Sequence, residues 1–333
     1  MNRIAVVILN YNGKELLEQF LPSVIRHSPE AKIIVADNNS SDDSVSFVKS
    51  SYKEVEVISI ANNLGFCGGY NFALKQVQSE FFVLLNSDVD VTEGWLTPLL
   101  VAFEDKKVGA VQPKILSYRE KQKFEYAGAA GGYIDVLGYP FCRGRIFNDI
   151  EEDHHQYDDT RNVFWATGAC LMIRSQLFHS LGAFDETFFA HMEEIDLCWR
   201  LNRSGHKVQC VPSSQVYHVG GATLDKSNPR KTYYNFRNGL MLVIKNWTPL
   251  QMMVRLPIRI VLDWIAGLKF LLEGHPKDFV AVWNAHFYVL FNFLSVANRR
   301  SSTLLYRVYN VYQSSIVFDY YLRGKKKFSD LNF

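Results

Sequence analysis

FFVLLNSDVDV, residues 81–91, begins as an apolar, aromatic and β-branched run and ends in two carboxylates, Asp88 and Asp90. The run at 81–85 has the composition of a buried strand, and Asn86-Ser87-Asp88 has that of a strand end. The same form occurs three times upstream. Strands are expected at 4–9, 32–36 and 55–60, and two of them end in polar clusters, Asn10-Tyr11-Asn12 and Asp37-Asn38-Asn39. Between them, 14–27, 42–50 and 69–78 space their apolar residues as helices do, with Ser40 or Ser41 as N-cap of the second. Strands alternating with helices specify an α/β fold, a mostly parallel mixed sheet flanked by helices. Such sheets bind ligands beyond the carboxyl ends of their strands, which is where this sequence puts its polar residues.

Downstream the pattern loosens. Residues 115–160 hold the glycine-rich AGAAGGY (127–133) and the acidic, His-bearing DIEEDHHQYDD (149–159), expected as loops and short strands forming a mobile lid. Order returns with VFWATGACLMI (163–173), a buried strand with a small-residue break, then a helix at 193–204 and strands at 207–211 and 215–219. A catalytic domain is therefore expected over 1–245 and a C-terminal helical appendage over 246–333. In the appendage, 250–272 and 279–297 are strongly apolar. Arg255, Arg259 and Asp263 lie four apart on one face of the first, and Asn284, Tyr288, Asn292 and Ser295 make a weakly polar stripe on the second. The second stretch has the length to cross a bilayer, but its stripe favours a helix lying on a membrane or packed on a protein surface. Arg299, Arg300, Arg307, Arg323 and Lys325 to Lys327 suit anionic headgroups.

Bulk composition narrows the function. Of 333 residues 48% are hydrophobic, enough for a large core, and the net charge of +2 gives no basic field for nucleic acid. The five cysteines are odd in number and lack CxxC spacing, so neither a disulfide framework nor a zinc site is expected. The apolar run at 4–9 is too short for a signal-peptide core, and a cytoplasmic location is expected.

Four clusters carry chemistry. Asp88 and Asp90 lie two apart, so on extended backbone they point the same way and can share a Mg²⁺ or Mn²⁺ ion, which favours few carboxylates plus substrate phosphates. NNLGFCGGYN (62–71) places glycines and asparagines at a helix entrance, where backbone amides suit an anionic ligand, but it is neither GxGxxG nor a Walker loop. FDETFFAHMEEIDLCWR (184–200) sets Glu193, Glu194 and Asp196 at a helix start, with Arg200 spaced to pair with Asp196. In VYHVGGAT (216–223), His218 leaves a strand before two glycines and offers a third metal ligand.

In order, VVILNYNG, VADNNSSDDS, NNLGFCGGYN, LLNSDVDV, ATGACLMIR, FDETFFAHMEEIDLCWR and HVGGAT strongly resemble the family 2 inverting glycosyltransferases of the GT-A fold, and among them the rhamnosyltransferase-like enzymes of bacterial surface-polysaccharide assembly. The resemblance covers residues 3–240. It implies transfer of a sugar from a UDP-, dTDP- or GDP-sugar to a hydroxyl of a glycan or lipid-linked glycan, with Mn²⁺ or Mg²⁺, at the cytoplasmic face of the inner membrane. Asn10 and Asp37 match nucleoside-contacting positions, with Asn63 and Asn71 near the donor. Asp88 faces the donor, Asp90 binds the metal, and His218 is the additional metal or diphosphate ligand. Gly168 and Ala169 match a small-residue turn beside the acceptor. The catalytic-base motif falls on Glu193-Glu194, where the family's second position is usually Asp; Glu194 is favoured over Glu193. Arg230, Lys231 and Arg237 are candidate diphosphate contacts. A nucleotidyltransferase would want a basic glycine-rich phosphate loop after the first strand, which NYNGKE does not supply, and a non-catalytic sugar-binding protein has no need of Asp90, Glu194 and His218.

Overall fold

The computed structural model of the protein describes residues 3–220, 228–300 and 308–333. Strands β1 (Ile4–Asn10), β2 (Ala31–Asp37), β3 (Glu56–Ser59) and β4 (Phe81–Asn86) pair in parallel in the order β3-β2-β1-β4. Alternate residues of β1 enter opposite cores: Ala5 and Val7 face one, Ile4, Val6 and Ile8 the other. A strand covered on both faces has no solvent side, which explains its unbroken apolar run. Helix α1 (Lys14–His27) packs Leu17, Leu21 and Val24 on one face of the sheet, with α2 (Ser44–Ser51) contributing Val48. Helix α3 (Gly65–Leu74) lies on the other face through Cys67, Tyr70 and Leu74.

The sheet continues through β5 (Val89–Val91), α4 (Leu96–Ala102), β6 (Val108–Ser117), β11 (Arg161–Val163), β12 (Cys170–Arg174) and β13 (Lys207–His218), giving nine strands in the order β11-β13-β6-β12-β4-β1-β2-β3, with β5 on β13. β12 runs antiparallel between β4 and β6, and β13 is parallel to β6. The expected α/β architecture, a mostly parallel mixed sheet, is therefore present. The two strands expected at 207–219 are one, interrupted by a register shift between Val211 and Gln215.

Three local expectations need correction. Neither Ser40 nor Ser41 caps α2, which follows Asp43; Ser40 Oγ instead accepts from Asn10 Nδ2 and the Asn12 amide. Helix α3 starts at Gly65, four residues before the expected 69, because its first amides find partners outside the helix. Residues 115–160 are not a lid: Ala129, Ala130 and Ile134 are fully buried. Strands β7 (Gly132–Asp135), β8 (Pro140–Cys142), β9 (Arg145–Ile146) and β10 (Asp149–Ile150) form a second sheet, and Lys114, itself buried, ties the acidic stretch down through Asp153 at 2.8 Å and Asp158.

After α5 (Ser175–Ser180) and α6 (Glu193–Arg203) the chain forms α7 (Pro229–Asn246), α8 (Pro249–Leu272), α9 (Pro276–Phe291) and α10 (Phe293–Ala297). Asn292 interrupts the stretch at 279–297, and no helix among the described residues is long and apolar enough to cross a membrane. The chain then returns: β14 (Val311–Tyr312) pairs in parallel with β7, and α11 (Ile316–Tyr321) follows. Tyr133 and Phe141 of the second sheet pack against Phe328 and Phe333, so the parts before and after 245 share one core.

Candidate active site

The carboxyl ends of β1, β2, β4, β6 and β13 and the amino end of β12 meet at one rim of the main sheet. At the β1–β2 end, Asn10 and Asp37 are paired in register and buried. Asn10 Nδ2 donates to Asp37 Oδ1 at 3.0 Å, and the Ser40 amide donates to Asp37 Oδ2 at 3.0 Å. Asn10 Oδ1 has no hydrogen-bond partner among the described residues, which leaves a buried acceptor. Tyr11, the next residue, is half exposed, an aromatic ring at the rim that the sequence reading did not single out.

The entrance of α3 is occupied differently from expectation. The Leu64 amide donates to Asn38 Oδ1, the Gly65 amide to Asn63 Oδ1, and the Phe66 and Cys67 amides to the Phe189 carbonyl. The helix N-terminus is thus satisfied by the protein and does not present these four amides to an anion. Asn63 also accepts from Asn38 Nδ2, so it orders the turn. Asn71 leaves the donor set: its side chain donates to the Phe184 carbonyl and Glu186 and accepts from the Phe184 amide. Gly168 faces the ring of Phe66, where an added Cβ would sit 3.1 Å from Cζ, and Ala169 accepts the Asn86 amide, placing the small-residue turn beside the end of β4.

Asp88 and His218 come together at that strand end. His218 Nε2 lies 3.1 Å from Asp88 Oδ1 and 3.4 Å from Asn86 Nδ2; His218 Nδ1 lies 3.3 Å from Glu125 Oε2. Burial alone would depress the His218 imidazolium, but the two carboxylates override it and raise its pKa to about 10. Burial would likewise raise Asp88, yet His218 and the Gly220 amide hold it below its ordinary value. The expected trio does not assemble. Asp90 sits on β5 opposite Tyr217, and no group of three His, Cys, Asp or Glu side chains fit to hold a metal occurs among the described residues. The pair does suit a divalent cation in part: a buried carboxylate beside an imidazole whose far nitrogen faces a second carboxylate, the arrangement that orients metal-binding histidines. Substrate phosphates would have to complete such a site. Residues 221–223 of the HVGGAT motif lie outside the described residues.

The acidic pair opens α6. Both carboxyl groups are out of solvent at Oε2, and neither Oε2 has a hydrogen-bond partner among the described residues. Burial, reinforced by Glu194, pushes Glu193 well above the usual carboxylate range, and burial raises Glu194 to about 7. Asp196 behaves oppositely. Burial would raise it, but Arg200 at 2.9 Å and Lys245 at 3.1 Å keep it ionised and low. One helix turn therefore carries an ion-paired structural carboxylate and two unpaired ones.

The loop that aims this pair is strained: Phe189, His191 and Met192 have φ of 65°, 71° and 74°. Arg237, expected at the diphosphate, holds this loop instead, donating to the carbonyls of Thr187 and Phe188, with its guanidinium over Tyr233 and Tyr234. Asn238, unremarked in the sequence, donates to the carbonyls of Phe188, Ala190 and His191. Lys231 remains near the site, beside Tyr126 and close enough to His191 to help lower its pKa to about 4, after burial. Arg230 is exposed at the start of α7, where Asn228 caps the helix.

The sequence matches the family model described as Glycosyl transferase family 2 over residues 5–182. It is 28% identical over 235 residues to a Mycobacterium tuberculosis protein named N-acetylglucosaminyl-diphospho-decaprenol L-rhamnosyltransferase, spanning 65% of this chain and 75% of that protein. It is 26% identical to the O-antigen biosynthesis protein RfbC of Myxococcus xanthus, but spans only 18% of that longer protein against 66% of this chain. Among solved structures, S. aureus TarS 1–349 in complex with UDP-GlcNAc superposes with a TM-score of 0.55 at 15% identity, covering 92% of this chain and 93% of that one. GalNAc-T7 with UDP, GalNAc and Mn²⁺ gives 0.58 at 18% identity, covering 73% of this chain and 48% of that one. These likenesses carry the GT-A fold over the main sheet. The chain belongs to glycosyl transferase family 2.

Proposed function

We propose that this chain transfers a sugar from a nucleoside-diphosphate donor to a hydroxyl of a lipid-linked glycan, with inversion at the anomeric carbon, in surface-polysaccharide assembly. The observation that carries the reading is the acidic pair at the start of α6, buried and without an ion-pair partner among the described residues. A carboxylate with a pKa near 7 is suited to take a proton from a hydroxyl at neutral pH. Glu194 is the base. Glu193, more deeply buried and held well above the usual carboxylate range, resists ionising beside it.

The donor's nucleoside lies across Asn10, Asp37 and Tyr11, with the orphaned Asn10 Oδ1 accepting from the base and the Tyr11 ring available for stacking. Asp88 and His218 would hold a divalent cation together with the donor's phosphates, with Glu125 orienting the imidazole. When bound, that cation supplies Lewis-acid charge to the departing diphosphate. Arg230 and Lys231 add positive charge from the start of α7. We read the transfer as a single displacement, in which the acceptor oxygen would approach from the Glu194 side and the diphosphate would leave toward Asp88. The M. tuberculosis relative's name specifies a decaprenol-linked acceptor, which supports a lipid-linked acceptor here.

The test is calorimetry with UDP-, dTDP- and GDP-sugars, each with Mn²⁺ and with EDTA. Metal-dependent binding of one donor, lost in Asp88→Ala, is the expected result. Failure of every donor to bind, with or without metal, would overturn the reading.

A further inference from the structure

Helix α8 is built inside out. Its buried positions include Arg259 and Asp263, which pair with each other at 3.0 Å. Arg259 also donates to the Leu137 carbonyl and Tyr139 Oη donates to Asp263, so the polar stripe bolts the helix to the second sheet. The opposite face is apolar and bare: Leu250, Met253, Val254, Val261, Leu268 and Leu272 are each more than half exposed. On α9 and α10, Trp283, Phe287, Leu290, Phe291 and Leu294 extend the same character. Fifteen of the twenty-five exposed large hydrophobic side chains among the described residues lie on these three helices, so this is a continuous surface and not a scatter of single residues. A helix packed on a water-soluble domain has the reverse polarity.

Charge identifies the occupant. Residues 246–333 hold eleven Lys and Arg against five Asp and Glu, while the rest of the chain holds 25 against 29. The excess borders the apolar face. Lys269 on α8 lies over the ring of Tyr321, the residue that leads into Arg323 and Lys325 to Lys327, and Lys277 starts α9. An open apolar notch of about 310 Å³, lined by Met252, Met253, Leu256 and Pro257, indents the same helix. We propose that α8, α9 and α10 lie flat on an anionic lipid bilayer, their apolar face among the acyl chains and the Lys269, Lys277 and Lys325–Lys327 cations at the headgroups. Pairing of this face with a second copy would bring the same cations toward one another. At 24 residues α8 is about 36 Å long, enough to set the orientation of the molecule on the surface.

The face also begins close to the candidate active site. Thr232, one residue after Lys231, donates to Asp278 on the first turn of α9, and Tyr234 stacks on Phe189 of the strained loop. Docking therefore delivers a lipid-anchored acceptor toward Glu194. That last step rests on the proposed acceptor, whereas the docking itself does not.

Vesicle flotation of the full chain tests the surface, using phosphatidylglycerol–phosphatidylcholine vesicles and phosphatidylcholine alone. The wild type is expected to float with the anionic vesicles and far less with the neutral ones. Ile265→Ser with Leu268→Ser, both exposed, should weaken partitioning about tenfold or more, as should Lys325→Ala with Lys326→Ala and Lys327→Ala. Circular dichroism and donor binding should be unchanged in both variants. A wild type that stays unbound with both vesicle types, or an apolar variant that floats like wild type, overturns the proposal. A dimer in sedimentation velocity that the apolar variant splits, without vesicle binding, assigns the face to a second copy and overturns it too.

Discussion

Asp88 and His218, 130 positions apart in sequence, approach to 3.1 Å where β4 and β13 end, while Asp90, two residues from Asp88, stands on β5 opposite Tyr217 of β13. Metal-dependent donor binding should therefore separate the two aspartates. Asp88→Asn and His218→Ala are each expected to abolish the difference in donor affinity between Mn²⁺ and EDTA, measured by calorimetry. Asp90→Asn should retain most of it. Loss of the metal effect in Asp90→Asn alone would return the cation to the position expected from sequence.

Replacing Glu194 by Gln removes the base while keeping its size. Turnover should fall by about 10²–10⁴, with donor affinity nearly unchanged because the group acts on the acceptor. In the wild type, the rate should rise with pH and level off above about 7, since the group must be ionised to accept a proton. The product anomer, read by NMR coupling, should be opposite to the donor's. Near-normal turnover in Glu194→Gln would move the role to Glu193.

The same pair makes a stability prediction. Burial raises both carboxyl pKa values, so the native state holds these protons more tightly than the unfolded chain. Their contribution to stability is intact below about pH 4.3 and declines as pH rises through the folded values. Glu193→Gln, which cannot ionise, should therefore be more stable than wild type at pH 8. Near pH 4 the two should unfold at the same denaturant concentration. A variant less stable than wild type at pH 8 would mean that Glu193 is ionised and paired.

Much of this was legible because local pattern and global fold agree over the first hundred residues. Strands 4–9, 32–36 and 81–85 appear within a residue at each end, and α1 has its expected limits. Periodicity found the polar stripe on α8 but carries no information about which side faces the protein. Asn38, Glu125 and Asn238 were missed because each acts through a partner far away in sequence: Asn38 on the α3 entrance, Glu125 on His218, Asn238 on the 188–191 carbonyls. The roles assigned to Asn71 and Arg237 failed for the same reason. Both residue types suit a donor site, and only the fold shows them turned to the 184–188 segment.

Asn238 ties α7 to the loop that leads into the proposed base. Fully buried, it offers two amide protons to the carbonyls of Phe188, Ala190 and His191 at 2.7–3.0 Å, and its own oxygen accepts from Arg237 Nε. Three contacts of this kind within four residues hold a stretch whose positive φ values at Phe189, His191 and Met192 would otherwise relax. Asn238→Ala leaves the Ala190 and His191 carbonyls without this donor, while Phe188 keeps Arg237, and should cost about 1–3 kcal/mol of stability. Because Met192 directly precedes the acidic pair, relaxation of the loop also moves Glu194 relative to the acceptor, and small displacements of a base are expensive in rate. The expected signature is turnover reduced at least about tenfold with donor affinity unchanged and the acid limb of the pH profile shifted. A fall in unfolding midpoint with turnover and pH profile intact would leave Asn238 a packing residue and remove α7 from the positioning of the base.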